Sequence, residues 1–233
     1  MSPQVYLPPD ANCLLSTVDH CLKSKNLVNL VIGSKNSTPV YLSPSQAADH
    51  CRRGVAVWRF ASTHDGADPD VVLVGIGVEV TFEVVKAVEL LREISPDLRV
   101  RAVNVTDLFV LAAESRHPHA LTDEVFGELF ALDRPVLFNY HGYATELQGL
   151  LFGRPNLHRM QVNGYREEGS TTTPFDMLLR NQVSRFDVAR RALQAAAESS
   201  EPAKGRLEEA LGRIDELVEQ VQQHIYANGK GER

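Results

Sequence analysis

Residues 71–77, VVLVGIG, decide the fold class of this chain, because they are apolar at every position except the two glycines. A strand that faces solvent on one side alternates apolar and polar residues, whereas a strand covered on both faces of a parallel sheet stays apolar throughout. The stretch therefore predicts a central strand of a parallel sheet. A turn-rich segment precedes it, and a helical pattern follows it from about Thr81 to Glu93.

Further strand candidates alternate with helical patterns on both sides of this stretch. They lie at residues 27–33, 55–60, 98–105, 135–140 and 157–162, and the first of them, LVNLVIG, is expected to be a buried strand. The alternation predicts an α/β fold, with an open, mostly parallel sheet of about five or six strands, helices on both faces and a C-terminal helical extension. Ligands of such sheets bind outside the carboxyl ends of the strands, so the loops at those ends are the first places to look for a site.

Helix starts are marked by capping residues. Asp10 is expected to cap a first helix, and Ser43 begins a capping box that ends at Gly54. The apolar residues of the first helix recur at helical spacing, namely Leu14, Leu15, Val18 and Leu22.

Three regions follow from this pattern. We expect residues 1–10 to be a linker from a preceding domain, residues 11–173 to form the α/β core, and residues 174–229 to form helices packed on the same domain. Two helices are expected in the last region, at 174–199 and 204–227. The second carries a single apolar stripe, which either docks on this domain or meets a partner helix.

Composition excludes several classes of protein. The chain has 233 residues, 43% of them apolar and 23% charged, with a formal net charge of −6, as in an ordinary globular protein. A negative chain without clustered Lys and Arg is a poor match for nucleic acid, so no nucleic-acid partner is expected. Three cysteines without a CxxC pair indicate reduced thiols, so we expect a cytoplasmic protein. No apolar run reaches about 18 residues, so we expect no membrane contact.

Several common site motifs are missing. Residues 75–81, GIGVEVT, lack the third glycine of a dinucleotide loop and are better explained as a tight turn between a strand and a helix. There is no Walker sequence, GxSxG elbow or HExxH, and no third ligand can be named beside HPH (117–119) for a zinc site. Metal-ligating residues are therefore not assigned.

Three loops remain as candidates, each with a structural alternative. Lys35 follows the first strand candidate among hydroxyl residues, so it is either a phosphate-binding lysine or a solvated loop residue. His141 follows a strand directly and is either a site residue or a hydrogen-bonded structural histidine. In REEGSTTTPFDM (166–177), Thr173 fits a helix cap, while Ser170, Thr171 and Thr172 remain available to an anion at the helix start.

Taken together, these segments resemble the C-terminal domain of phosphoketolases in order and spacing. The resemblance runs from about residue 4 to about residue 190, and it is most specific in YHGY (140–143) combined with GYREEGSTTTPFDM (164–177). Other matching segments are YLPPDANCLLSTVDHCL, NLVIGSKNSTP, PDVVLVGIGVEVT, RAVNVTDLFVL and SRHPHALTDEVFGELF.

The resemblance implies a function. Phosphoketolases are carbon–carbon lyases of carbohydrate metabolism that use thiamine diphosphate and magnesium. They cleave xylulose 5-phosphate or fructose 6-phosphate with inorganic phosphate to acetyl phosphate and a shorter sugar phosphate. Their subunits have two other domains, which bind the cofactor, and they assemble as dimers or larger oligomers. This sequence has no Gly-Asp-Gly, the stretch that supplies magnesium ligands in such enzymes, so the isolated chain is expected to bind no cofactor and to be inactive.

By the same resemblance, Lys35 is expected to bind the substrate phosphate, and the domain is expected to help form the substrate channel and the subunit assembly. The residues expected to line the pocket or a domain junction are His141, Tyr143, Arg166, Thr172 and Thr173. No residue is assigned a catalytic step. The start of the chain, PQVYLPPDANCLL, is typical of a cut inside a longer protein. The alternative is a regulatory module that binds a phosphorylated metabolite or a nucleotide.

Overall fold

The computed structural model describes residues 3–166, 171–199 and 205–229. The strands within them are β1 (Pro3–Tyr6), β2 (Val28–Val31), β3 (Val55–Val57), β4 (Val71–Ile76), β5 (Val100–Val105), β6 (Val136–Tyr143) and β7 (Met160–Tyr165). Five of them form the main sheet in the order β3-β5-β4-β6-β7, and only β3 runs antiparallel to its neighbour. The predicted open, mostly parallel sheet is confirmed.

The helices within the described ranges are α1 (Ala11–Lys23), α2 (Pro44–Arg53), α3 (Val78–Ile94), α4 (Asp123–Phe130), α5 (Ala144–Leu151), α6 (Pro174–Arg180), α7 (Arg185–Ser199) and α8 (Leu207–Asn228). They cover both faces of the main sheet. On one face, Val84 of α3, Ala192 of α7 and Ile214 of α8 belong to one buried core. On the other face, Phe130 of α4 and Leu147 of α5 belong to a second core.

Strand β4 lies in the middle of the main sheet, as its sequence predicts. All six of its residues are buried. Val71 and Leu73 contribute to the core beneath α3, whereas Val72 and Val74 contribute to the core on the opposite face. Successive residues of a strand point to opposite faces of the sheet, so a strand between two apolar cores needs apolar residues at every position. This is the pattern of the stretch.

The strand expected at residues 27–33 is present but is not buried. As β2 it pairs in parallel with β1 alone, in a separate two-stranded sheet, and Val28 is 57% exposed. The prediction of a buried strand was therefore wrong, because an apolar run does not reveal whether a second layer covers it. Residues 3–6, inside the segment expected to be a linker, supply the partner strand, and Leu7 after them is fully buried.

Helix α1 begins as predicted, with Asp10 accepting a hydrogen bond from the backbone N–H of Cys13 at 2.8 Å. Its buried residues are Cys13 and Thr17. The apolar residues that predicted the helix lie on its exposed side. We call these residues, Leu14, Leu15, Val18 and Leu22, the α1 stripe.

The single helix expected over 174–199 is two helices. Residues 181–184 separate α6 from α7, with Gln182 in the left-handed region at φ 57°. A second helix, α7, starts after this break. The backbone N–H of Asp187 donates to Ser184 Oγ, and the Ser184 N–H donates to the Asp187 carboxylate. Asn139 of β6 also donates to the carbonyl of Val183 at 3.0 Å and so holds the break against the sheet.

Helix α8 places its apolar stripe on the larger core. Ala210, Ile214 and Ile225 are buried there, and the stripe packs beside α7. Within the described part of the chain, no helix is both long and apolar enough to cross a membrane.

Several strands begin or end away from their predicted bounds, and two of them adjoin 3₁₀ turns. The strand expected at 55–60 stops at Val57, and a short 3₁₀ turn begins at Arg59. The strand expected at 157–162 begins at Met160, after another 3₁₀ turn. These shifts leave the order of the elements unchanged.

Candidate functional site

The carboxyl end of β4 passes into α3 through Gly77, which has a φ of +107°. A Cβ at this position would lie 2.4 Å from the Cβ of His141, so no other residue fits without displacing its neighbour. The predicted tight turn between strand and helix is confirmed. Its consequence is that the first turn of α3, which carries Glu79, lies directly beside His141 near the end of β6.

Three polar side chains meet at this turn. Ser34 donates a 2.6 Å hydrogen bond to Oε1 of Glu79, and Nδ1 of His141 lies 3.4 Å from Oε2 of the same carboxylate. Among the described residues that nitrogen has no hydrogen-bond partner, so the two side chains are close neighbours without a hydrogen bond between them. The loop after β2, which carries Ser34, is thereby attached to the carboxyl edge of the main sheet.

Tyr165 closes this group from the side of β7. Its ring centroid lies 4.9 Å from that of His141. Burial, together with the negative charges of Glu79 and Glu83, raises the pKa of the Tyr165 hydroxyl to about 12. The hydroxyl therefore keeps its proton at neutral pH and is available as a donor, not as a base.

A cavity of about 340 Å³ opens beside this group, between the loop after β2 and helices α3 and α6. Its size falls at the lower end of the range of small-molecule sites. The lining residues are Ser34, Asn36, Ser37, Thr38, Pro39, Glu79, Phe82, Glu83, Pro174, Phe175, Leu178 and Arg185. One wall is therefore the polar loop, and the other is apolar except for Glu79 and one charged pair.

That charged pair is Glu83 with Arg185. Glu83 is only 1% exposed, and its carboxylate accepts hydrogen bonds from the Arg185 guanidinium at 2.8 and 2.9 Å and from the Arg185 backbone N–H at 2.6 Å. The guanidinium also packs against the rings of Phe82 and Phe175, at 5.3 and 5.0 Å from their centroids. A buried carboxylate requires such a partner, so the pair fixes the start of α7 against α3.

Lys35 lies in the loop that forms the polar wall, between the lining residues Ser34 and Asn36. Its side chain is exposed, and within the described ranges its ammonium makes no hydrogen bond or ion pair. Lys35 itself is not among the lining residues, so the structure leaves an exposed cation in the loop that lines the cavity. The phosphate-binding role of Lys35 stays a prediction.

The two threonines before α6 take part in the start of that helix. Thr173 accepts a hydrogen bond from the backbone N–H of Asp176, and Thr172 donates to the Asp176 carboxylate at 2.6 Å. Burial raises the pKa of Asp176, but hydrogen bonds from Thr172 and Arg180 outweigh it and hold the pKa below its usual value. The cap predicted at Thr173 is confirmed. Ser170, named with Thr172 as a possible anion contact, lies outside the described residues.

The other two predicted residues lie away from the cavity lining. Tyr143 precedes the first residue of α5 and is about half exposed. Arg166 is exposed, and its backbone N–H donates to the side chain of Asn181 between α6 and α7. Of the predicted set, the structure places His141 beside the Ser34 and Glu79 pair.

Sequence reasoning missed Glu79, Glu83 and Arg185. A signal was available, since the two glutamates stand four residues apart in a helix that is otherwise largely apolar, and acids at such positions need partners. The partners themselves lie 45 and 102 residues away in the chain, which local spacing does not reveal. Within the described ranges, no group of three or more His, Cys, Asp or Glu is arranged to hold a metal ion.

Comparison with protein families gives two matches. The model described as the XFP C-terminal domain matches residues 35–232. The model described as D-xylulose 5-phosphate/D-fructose 6-phosphate phosphoketolase matches residues 2–24.

Curated relatives agree with these matches. A probable phosphoketolase of Schizosaccharomyces pombe is 55% identical over 83% of this chain and 23% of its own length. One from Rhodopseudomonas palustris is 45% identical over 97% of this chain and 28% of its own length. The chain thus spans about a quarter of the relatives it matches.

Solved structures share the fold at low sequence identity. Transketolase from Leishmania mexicana superposes with a TM-score of 0.57 at 18% identity, over 84% of this chain and 25% of that protein. A split-gene transketolase, described as an inactive β4 tetramer, gives a TM-score of 0.56 at 16% identity, over 84% of this chain and 58% of that one.

Proposed function

The chain belongs to the phosphoketolase family, as its C-terminal domain, and from this premise we propose that it works within an enzyme that cleaves xylulose 5-phosphate, fructose 6-phosphate or both. Inorganic phosphate is the co-substrate, and acetyl phosphate and a shorter sugar phosphate are the products. Both ketose phosphates stand in the description of the family model that matches residues 2–24, which supports this choice of substrates.

Within that enzyme, we assign Lys35 to the substrate phosphate. The observation that carries the assignment is the position of this lysine in the loop that lines the 340 Å³ cavity, where it is exposed and has no partner among the described residues. An ammonium on a flexible stem suits a terminal phosphate group, which it meets as a point charge. Binding energy gained at the phosphate, remote from the reacting carbons, positions the ketose for the chemical step.

The loop that carries Lys35 is held in place by other residues of this chain. Ser34 fastens the loop to Glu79 at 2.6 Å, and His141 lies on the other side of the same carboxylate. We assign these residues to the orientation of the loop. The residues that we propose to line the channel or a domain junction are His141, Tyr143, Arg166, Thr172 and Thr173.

The residues of this chain do not fit a thiamine diphosphate and magnesium site. The sequence contains no Gly-Asp-Gly, and no described cluster of acids offers the oxygen ligands that magnesium requires. The cofactor would supply the carbanion chemistry of the reaction, and we place its binding in the three quarters of the relatives that this chain does not span. No step of the reaction is assigned to residues of this chain.

The activity assay compares the full-length enzyme with the isolated 233-residue chain. With thiamine diphosphate, magnesium, inorganic phosphate and each ketose phosphate, the full-length enzyme is expected to form acetyl phosphate, detected as its hydroxamate. The isolated chain is expected to form none, and omission of inorganic phosphate is the control. Acetyl phosphate from the isolated chain, or its absence from the full-length enzyme with both ketoses, would contradict the proposal.

A further inference from the structure

The α1 stripe is an apolar surface that the described residues leave uncovered. Leu15 is 69% exposed and Leu22 is 82% exposed, and Leu14 and Val18 are also exposed. At 100° per residue these four side chains share one side of the helix. Single exposed leucines are common on protein surfaces, but four on one side of a short helix mark a contact surface.

The opposite side of α1 already has its partners. Cys13 and Thr17 are buried there, and Thr17 donates to the Cys51 sulfur of α2 at 3.7 Å. His20 meets the ring of Tyr6 in β1, with centroids 5.9 Å apart. Rotation of the helix to bury the stripe would break these contacts. The contacts on the opposite side therefore keep the stripe facing outward.

The family matches indicate what covers the stripe. Residues 35–232 match the C-terminal domain model, whereas residues 2–24 match the separate phosphoketolase model. The second range contains β1 and all of α1. Helix α1 is thus grouped in sequence with the part of the enzyme that precedes the C-terminal domain, and the relatives are about four times as long as this chain.

We propose that the α1 stripe is the surface on which the preceding part of the same phosphoketolase polypeptide docks. This inference rests on the proposed function in one respect, namely that the chain works within a longer phosphoketolase. The partner surface is apolar opposite the stripe. The Asp19 and Lys23 ion pair, 2.6 Å long and exposed on the flank of the helix, lies at the polar rim of the contact.

Thiol labelling in the full-length enzyme tests the proposal with a matched pair of variants. Leu22→Cys lies on the stripe, and Lys23→Cys lies next to it on the polar flank, where the lysine side chain is 74% exposed. Both are made with Cys21→Ser, so that the neighbouring native thiol does not react. In the full-length enzyme, maleimide is expected to label Leu22→Cys roughly tenfold or more slowly than Lys23→Cys, because labelling then requires the contact to open. Equal rates in an enzyme that still forms acetyl phosphate would overturn the docking proposal and leave the proposed function standing.

A second measurement separates the same polypeptide from a second subunit as the occupant. The double substitution Leu15→Ser with Leu22→Ser is expected to leave the oligomeric state of the full-length enzyme unchanged in light scattering, and to increase amide hydrogen exchange in residues 11–24. The single substitution Leu132→Ser is the control, since Leu132 is 63% exposed and lies far from α1 in the chain. Dissociation of the oligomer by the double substitution would assign the stripe to the subunit interface and overturn the proposal.

Discussion

Ser34 and Glu79 join the loop after β2 to the first turn of α3 through a hydrogen bond of 2.6 Å. Because β2 belongs to a small separate sheet, this contact is what carries its loop to the carboxyl edge of the main sheet. The loop lines the cavity and carries Lys35, so both depend on its position. The bond between these two residues is therefore the structural basis of the proposed phosphate contact.

Removal of the Glu79 carboxylate is expected to loosen the Lys35 loop. Glu79→Ala should raise the KM for the ketose phosphate severalfold with a smaller change in kcat, since a hydrogen bond to a charged group contributes about 1.5–3 kcal/mol. Glu79→Gln keeps an oxygen that accepts a hydrogen bond from Ser34, so its KM for the ketose phosphate should rise less. Steady-state kinetics of the full-length enzyme give both constants. Glu89→Ala is the control, because Glu89 sits on the same helix in an exposed pair with Lys86, and a KM shift as large in that variant would remove Glu79 from this role.

Lys35 is expected to act through its charge. Lys35→Ala should raise the KM for either ketose phosphate roughly 10- to 100-fold, which corresponds to the loss of one charged hydrogen bond to phosphate. Lys35→Arg keeps the charge and should recover part of the affinity. The control is Lys25→Ala, an exposed lysine before β2 and outside the loop that lines the cavity. Kinetics that match the unmodified enzyme in the alanine variant would exclude Lys35 from the substrate site.

The elements that the sequence predicted well are those fixed by local contacts. Asp10 and Thr173 cap helices at their predicted positions, and Ser43 makes the full capping box with Gln46. Each of these bonds joins residues three positions apart, so the short-range pattern contains all the information needed. The central position of β4 was also readable, because burial on both faces requires an unbroken apolar run.

What the sequence did not reveal depends on distant partners. Apolar spacing predicted α1 but did not show that Cys13 and Thr17 form its buried side, because the covering elements α2 and β1 are not part of the helical pattern. The site shows the same limit. The partners of Glu79 and Glu83 come from a loop and a helix far away in sequence, and only the folded chain brings them together.

The start of α6 is expected to contribute stability that depends on pH. The pKa of Asp176 is lower in the folded chain than its ordinary value of about 3.9, so the carboxylate stabilises the fold above that pH and loses its effect as the pH falls through the folded pKa. Asp176→Asn should therefore lower the free energy of unfolding by about 1–2 kcal/mol at pH 7, with a difference that shrinks below about pH 4.

Thr173→Ala serves as the comparison for this effect. It removes the hydroxyl cap and should cost about 1 kcal/mol at every pH, because no titrating group is lost. Urea unfolding from pH 7 down to pH 3 measures both variants. A destabilisation by Asp176→Asn that is constant over this range would show that the charge of Asp176 does not contribute.

Alanine substitutions at Gly77 and Gly149 are expected to change the free energy of unfolding in opposite directions. Gly77 has a φ of +107°, and its added Cβ would meet the His141 Cβ at 2.4 Å, so Gly77→Ala combines backbone strain with a steric clash and should cost about 2–4 kcal/mol. It should also displace His141 from Glu79 and raise the KM for the ketose phosphate. Gly149 lies inside α5, is exposed and has open space around its Cα, so Gly149→Ala should stabilise by about 0.5–1 kcal/mol through helix propensity. Unfolding midpoints and kinetics of the two variants check the pair. If Gly77→Ala proves as well tolerated as Gly149→Ala, the close approach of β4, α3 and His141 does not hold the site together.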